Sequence, residues 1–250
     1  MVSRTTGDGV VNSEIMPPEK RRYIQISAGE SHSYFLRDDG VADRTVSKGT
    51  IEKSIDPPAG CIYTEVSVGQ SATYLLRSDG LVDRIAEGGF FNGERKVTET
   101  MQCSEKRVRY IQVSGGLYSS YLLRDDGKID RTTGKGVVVD TIEPPTGISY
   151  TGISRLLAVT ETDKRAGPHV WYFLRSDGAC DRVLRDSSSV ANTMNPPPGI
   201  TYTQVTCCLH ASYFLQSDGL VARSTGGGKI NLDQMMDAAA PTVGGGCSIS

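Results

Sequence analysis

The chain has 250 residues, 22% of them charged, with 27 Lys and Arg against 29 Asp and Glu and a formal net charge of −2. That length can bury a sizeable core in one large domain or two small ones. The near balance of charge, with basic residues scattered, excludes a general electrostatic grip on nucleic acid, and no specific nucleic-acid partner is expected.

Residues 1–11 are polar and glycine-containing, without the apolar centre of a secretion signal, and no later run approaches the roughly 18 apolar residues of a membrane span. The expected location is therefore cytoplasmic or nuclear. Six cysteines (Cys61, Cys103, Cys180, Cys207, Cys208, Cys247) stand at irregular spacings without a Cys-x-x-Cys pair, which reads as reduced thiols rather than a disulfide frame or a zinc site. His32, His169 and His210 do not share a repeat position, and no metal or other cofactor is expected.

At the N-terminus, Arg4-Thr5-Thr6-Gly7, Gly9-Val10-Val11 and Pro17-Pro18 match Arg131-Thr132-Thr133-Gly134, Gly136-Val137-Val138 and Pro144-Pro145 at a constant offset of 127 residues. The chain thus opens on the second half of a repeat. That fragment is expected to pair with the last repeat block, near Tyr213 to Gly219, and so to close a ring. The first complete repeat follows: Tyr23-Ile24-Gln25-Ile26-Ser27 alternates apolar and polar residues as a half-buried strand does. Next comes a Tyr-Phe-Leu-Arg strand that ends in Asp-Asp-Gly40, a hairpin signal because glycine accepts a positive φ. Asp43-Arg44 starts a third strand, Ile51 to Ile55 a fourth, and Pro57-Pro58 ends it, since proline cannot donate to a sheet ladder.

The same order recurs with anchor glycines at Gly40, Gly80, Gly127, Gly178 and Gly219, which lie 40, 47, 51 and 41 residues apart. A basic unit of about 40 residues is the size of one propeller blade. The expected fold is all-β, a β-propeller of about five four-stranded blades over residues 1–225, with the last strand and a tail in 226–250. Four strands cannot cover their own apolar faces, and stacked copies can. Arg37, Arg77, Arg124 and Arg175 recur with Asp43, Asp83, Asp130 and Asp181, and one such pair at fixed hairpin positions reads as a structural ion pair within or between blades. Gln216 and Ala222 stand at those positions in the fifth unit.

Two insertions are candidate partner contacts, because propellers bind through loops on one face. One, Gly88-Gly89-Phe90-Phe91-Asn92-Gly93, sets two adjacent aromatics, Phe90 and Phe91, among glycines. The other adds 11 residues between Ser154 and Gly167, carries Arg155, Lys164 and Arg165, and leads to His169 and the only tryptophan, Trp171. No nucleophile motif, phosphate loop or dinucleotide fingerprint appears, and Gly226-Gly227-Gly228-Lys229 reads as a turn. The chain is accordingly expected to bind and not to catalyse. The last four residues, Cys247-Ser248-Ile249-Ser250, fit a C-terminal prenylation motif with a terminal serine that favours farnesyl on Cys247, and hence a peripheral membrane contact.

Ile26-Ser27-Ala28-Gly29-Glu30-Ser31-His32-Ser33, an apolar strand and then Asp39-Gly40 resemble the repeat of the regulator-of-chromosome-condensation family. The resemblance covers about residues 20–225, although the chain continues from Asp-Gly into Asp-Arg where members of that family continue to an aromatic residue and a Trp-Gly or similar pair. It implies a propeller that acts as a protein-interaction scaffold. Two alternatives follow from it: a regulator or guanine-nucleotide exchange factor with a small GTPase as partner, and a fragment of a ubiquitin-ligase-type repeat protein.

Overall fold

The computed structural model describes residues 2–5, 11–18, 20–29, 32–46, 50–70, 72–86, 97–116, 119–154, 170–184, 187–207, 211–225 and 230–236. Among these every regular element is a strand. A two-stranded sheet comes first, β1 (Val2–Thr5) with β2 (Val11–Ile15), and five four-stranded antiparallel sheets follow, each a meander of consecutive strands. They are β3 (Tyr23–Ala28) to β6 (Ile51–Ile55) through β4 (His32–Arg37) and β5 (Ala42–Val46), then β7 (Tyr63–Val68), β8 (Ala72–Arg77), β9 (Val82–Ala86) and β10 (Glu99–Met101). The third holds β11 (Tyr110–Ser114), β12 (Ser119–Arg124), β13 (Ile129–Thr133) and β14 (Val138–Ile142); the fourth β15 (Tyr150–Ile153), β16 (Val170–Arg175), β17 (Cys180–Leu184) and β18 (Val190–Met194). The fifth consists of β19 (Tyr202–Cys207), β20 (Ala211–Gln216), β21 (Val221–Thr225) and β22 (Ile230–Met236).

The Asp-Gly turns form as the sequence dictates. In the first sheet the Gly40 amide donates to the Arg37 carbonyl at 3.0 Å and the Arg37 amide to the Val41 carbonyl at 2.9 Å, with Gly40 at φ +80°. This is a three-residue hairpin loop, which needs a left-handed residue at its end. Each such turn also fixes the next sheet: the carbonyls of Gly40, Gly80, Gly127 and Gly178 accept from the amides of Tyr63, Tyr110, Tyr150 and Tyr202 at 2.9–3.1 Å.

The core is divided among the four seams between consecutive sheets. In each, the second and third strands of one sheet press on the first two of the next, as Tyr34, Leu36 and Ala42 press on Tyr63, Val66 and Leu75. Tyr172, Leu174 and Cys180 meet Tyr202, Val205 and Phe214 in the same way. Close backbone approach across the seam explains the glycines upstream of the second strands. A methyl group on Gly69 would stand 2.6 Å from the Gly116 carbonyl oxygen, and one on Gly116 would stand 2.5 Å from the Trp171 ring.

The N-terminal pair repeats the outer half of the third sheet in register. Val2 faces Ile15, Ser3 faces Glu14 and Thr5 faces Val11, as Ile129 faces Ile142, Asp130 faces Thr141 and Thr132 faces Val138, with a register shift at the same place. The expected pairing of residues 1–18 with the Tyr213–Gly219 block is corrected: β20 pairs with β19 and β21, and β22 supplies the fourth strand of the fifth sheet. A local hairpin to β22 closes a far shorter loop than pairing across some two hundred residues, and the entropy of closure favours it.

Candidate binding channel and its framework

The repeated Arg and Asp residues are structural, and the structure joins two further residues to them. In the third sheet Asp130, 1% exposed, accepts from the Tyr110 hydroxyl at 2.8 Å, from the Arg124 guanidinium at 3.4 Å and from the Thr141 hydroxyl at 2.7 Å. One carboxylate therefore ties all four strands together, since these groups come from β11, β12 and β14 and the carboxylate itself from β13. The other sheets repeat it: Asp43 with Tyr23, Arg37 and Ser54; Asp83 with Tyr63, Arg77 and Thr100; Asp181 with Tyr150, Arg175 and Thr193. Each arginine also grips the aspartate of its own turn through two hydrogen bonds, as Arg175 grips Asp177 at 3.1 and 2.5 Å. That grip holds the carboxyls of Asp39 and Asp177 below the usual carboxylate range. The fifth sheet keeps Tyr202 and Asp218 but has Gln216 and Ala222, and Gln216, 2% exposed, has neither side-chain polar atom hydrogen-bonded.

Burial first, and the facing carboxylate second, push the hydroxyls of Tyr63, Tyr110 and Tyr150 well above their usual value of 10.0. Above about pH 10 the unfolded chain loses these protons while the folded chain keeps them, so stability is full below that pH and falls as pH rises beyond it. Thermal melts followed by circular dichroism should give a level Tm from about pH 7 to 9 and a steady decline from about pH 10 to 12. A Tm unchanged at the alkaline end would contradict the buried Tyr–Asp pairs.

Neighbouring sheets are laced at their first strands by side chains that reach across the seam. Gln25 Oε1 accepts from the Val66 amide at 2.7 Å, and Ser27 from the Val68 amide at 2.9 Å. One sheet on, Glu65 accepts from the Val113 amide at 3.1 Å and Ser67 from the Gly115 amide at 2.9 Å. Gln112 both accepts from and donates to the Ile153 backbone, at 2.8 and 3.3 Å. The next residue in this series is Gly152, which has no side chain to reach the fifth sheet.

The five first strands converge on one cavity of about 760 Å³. Gln25, Gln112, Thr151 and Gln204 give its wall hydrogen-bonding groups, Gly152 indents it, and Glu65 is the only charged side chain among the described residues that line it. Such a channel offers amide, hydroxyl and a single carboxylate to a ligand. Among the described residues no three His, Cys, Asp or Glu side chains are grouped to hold a metal ion.

Of the sequence candidates, Arg155, Lys164, Arg165, His169, Phe90, Phe91 and Cys247 lie outside the described residues. Trp171, expected beside a partner-contacting loop, is 2% exposed and packs 4.5 Å from the Tyr121 ring between the third and fourth sheets. In this structure it is a core residue, because its position in β16 faces the seam. His32 is buried edge-on to Tyr34, with the rings 5.7 Å apart. Cys103 and Cys180 fill positions in the apolar seams. Sequence reasoning missed the Tyr and Ser/Thr partners of the buried aspartates and the Gln/Glu lacing. The signals were present: Tyr opens every first strand, and Ser54, Thr100, Thr141 and Thr193 each precede the buried apolar residue of a fourth strand.

No protein-family model matches this sequence, and no curated protein matches it. Solved structures do. Human WBSCR16 superposes with a TM-score of 0.61 at 16% identity, over 86% of this chain and 64% of that one. Prp20p, the RCC1 of Saccharomyces cerevisiae, gives 0.54 at 14% identity over 81% and 57%. The WD40 β-propeller domain of Doa1 gives 0.55 at 11% identity over 86% and 68%. The fold is that of a β-propeller built from four-stranded blades, with RCC1-like proteins among its neighbours. The chain spans 64% and 57% of the length of the two RCC1-like structures.

Proposed function

We propose that this propeller is a protein-binding scaffold whose central channel and the loops around one face receive a partner protein. The observation that carries this reading is the convergence of five first strands on a 760 Å³ polar cavity, walled by side chains that the repeat positions identically. Burial of the recurring aspartates Asp43, Asp83, Asp130 and Asp181, each paired with its arginine, supports it further, because these repeated charges are committed to holding the blades.

Thr151 lines the channel and is exposed, so Thr151→Arg plugs the cavity without touching the core. The expected result is loss of the partners that the full chain captures, with Tm within about 2 °C of the parent, the range of a neutral surface change. Removal of residues 155–166 is expected to weaken the same capture. Unchanged capture by Thr151→Arg would move binding away from the channel.

A second reading is regulation of a small GTPase, as an exchange factor or otherwise. It draws support from Prp20p, whose structure was described with its binding to Gsp1p and histones, and from BBS1N, solved in complex with ARL6. A nucleotide-release assay separates it from the scaffold reading. Farnesylation of Cys247, the membrane contact it would give and a cytoplasmic or nuclear location rest on sequence alone.

A further inference from the structure

Three of the four seams between consecutive sheets carry the same lace. The side chain two places after the opening tyrosine of one sheet accepts from the amide three places after the opening tyrosine of the next. Gln25 does so for Val66, Glu65 for Val113 and Gln112 for Ile153, at 2.7, 3.1 and 2.8 Å. At the fourth seam the amide in that position is that of Val205, and the place of the acceptor is held by Gly152. Val205 pairs with Phe214 after the same register shift by which Val66 pairs with Leu75 and Ile153 with Phe173. Its amide and carbonyl therefore point out of the fifth sheet towards Gly152, as the amides of Val66 and Ile153 point towards Gln25 and Gln112. Among the described residues no side chain and no backbone carbonyl of the fourth sheet reaches the Val205 amide. Gly152 and Val205 both line the central cavity, and so does Leu174.

The backbone does not require glycine at 152. Its φ is not positive, and the three atoms nearest to a Cβ placed there all belong to the Leu174 side chain, the closest at 3.2 Å. A Cβ on Gly69 would instead press on a backbone oxygen at 2.6 Å. What the missing side chain leaves is a notch in the channel wall with an amide and a carbonyl at its floor, and such an amide takes an acceptor from what enters the cavity. Gln112 shows which group suits both: its carboxamide accepts from the Ile153 amide and donates to the Ile153 carbonyl, at 2.8 and 3.3 Å. A carboxylate cannot donate, and Glu65 in the same wall repels it.

We propose, on the reading of the channel as the partner's site, that the Gly152 notch receives the side-chain carboxamide of a glutamine presented by the partner protein. Its Oε1 accepts from the Val205 amide and its Nε2 donates to the Val205 carbonyl. The ligand so supplies from outside the one lace that the chain does not make for itself.

The probe is N-acetylglutamine methylamide, titrated into the full chain labelled with nitrogen-15 and followed by the NMR shifts of its backbone amides. The Val205 resonance is expected to move saturably. N-acetylglutamate methylamide at neutral pH and N-acetylnorleucine methylamide, which has no acceptor on its side chain, should each bind at least about tenfold more weakly. Gly152→Gln supplies the carboxamide from within, since the Leu174 side chain borders the cavity and can turn aside. It should melt about 2–4 °C above Gly152→Met, the shift that one hydrogen bond gives in a chain of this size, and should no longer bind the probe. A Val205 resonance that the probe does not move, equal binding of the three probes, or unaltered binding by Gly152→Gln would overturn the proposal. Full partner capture by Gly152→Gln, with capture lost in Thr151→Arg, would also overturn it and leave the channel as the partner's site. Capture unaffected by either variant would remove the channel reading and the glutamine with it.

Discussion

A chain carrying Asp130→Ala is expected to lose about 3–5 kcal/mol of stability, the cost of breaking a buried charge pair from one side. Arg124 is 1% exposed and keeps Asp126 and Glu105, at 2.5 and 2.7 Å, but loses the carboxylate behind it. The Tyr110 and Thr141 hydroxyls lose their acceptor in the same step, so three strands lose their tie to the fourth. For a chain of this size the change corresponds to about 6–20 °C in Tm. Urea unfolding at neutral pH gives the free energy, and a loss below about 1 kcal/mol would show that the carboxylate is not what holds the blade. The fifth blade shows how the chain tolerates alanine here: Gln216 replaces the arginine at the same time as Ala222 replaces the aspartate, so no uncompensated charge is buried.

Trp171→Ala is expected to cost about 3–5 kcal/mol as well, here through a cavity and not through charge. The indole fills the seam between the third and fourth blades, against Tyr121 and beside Gly116, and the backbone around it is too closely packed to collapse into the space. Trp171 is also the only tryptophan, so its fluorescence reports unfolding of this seam in the parent chain, and Trp171→Phe should keep most of the stability by retaining an aromatic ring. Partner capture by a chain carrying Trp171→Phe should match the parent. Loss of capture without loss of stability would instead assign the indole to binding.

The blade was legible because its signals are local and repeated. Alternation from Tyr23, Tyr63, Tyr110, Tyr150 and Tyr202, the Asp-Gly turns and the terminating prolines each depend on a few adjacent residues, and the strands stand where they indicate. The offset of 127 residues also identified β1 and β2 as third and fourth strands of a blade. What they pair with was not legible. The segment Ile230–Met236 lacks the Ser/Thr next to an apolar residue that marks the fourth strands of the other four complete sheets, and its pairing with β21 is decided by the short loop between them. Nor does sequence position reveal burial across a seam. Trp171 sits beside a charged insertion along the chain, yet in space it is enclosed by residues about 50 positions upstream. The channel wall was hidden for the same reason: Gln25, Glu65, Gln112 and Gln204 look like ordinary polar residues of alternating strands until the strands are brought around a common axis.

The hydrogen bond from each Asp-Gly turn to the opening tyrosine of the next blade fixes where a blade begins without regard to how much chain was used to get there. Between Gly80 and Tyr110 the path is longer than between Gly40 and Tyr63, yet both bonds form, at 3.1 and 3.0 Å. Length added after a turn is taken up before the next anchor, so neighbouring modules do not feel it. An architecture with such reset points can accept foreign segments of varied size, and grafted sequences placed between residues 87 and 96 should leave the spacing of every other blade as it is.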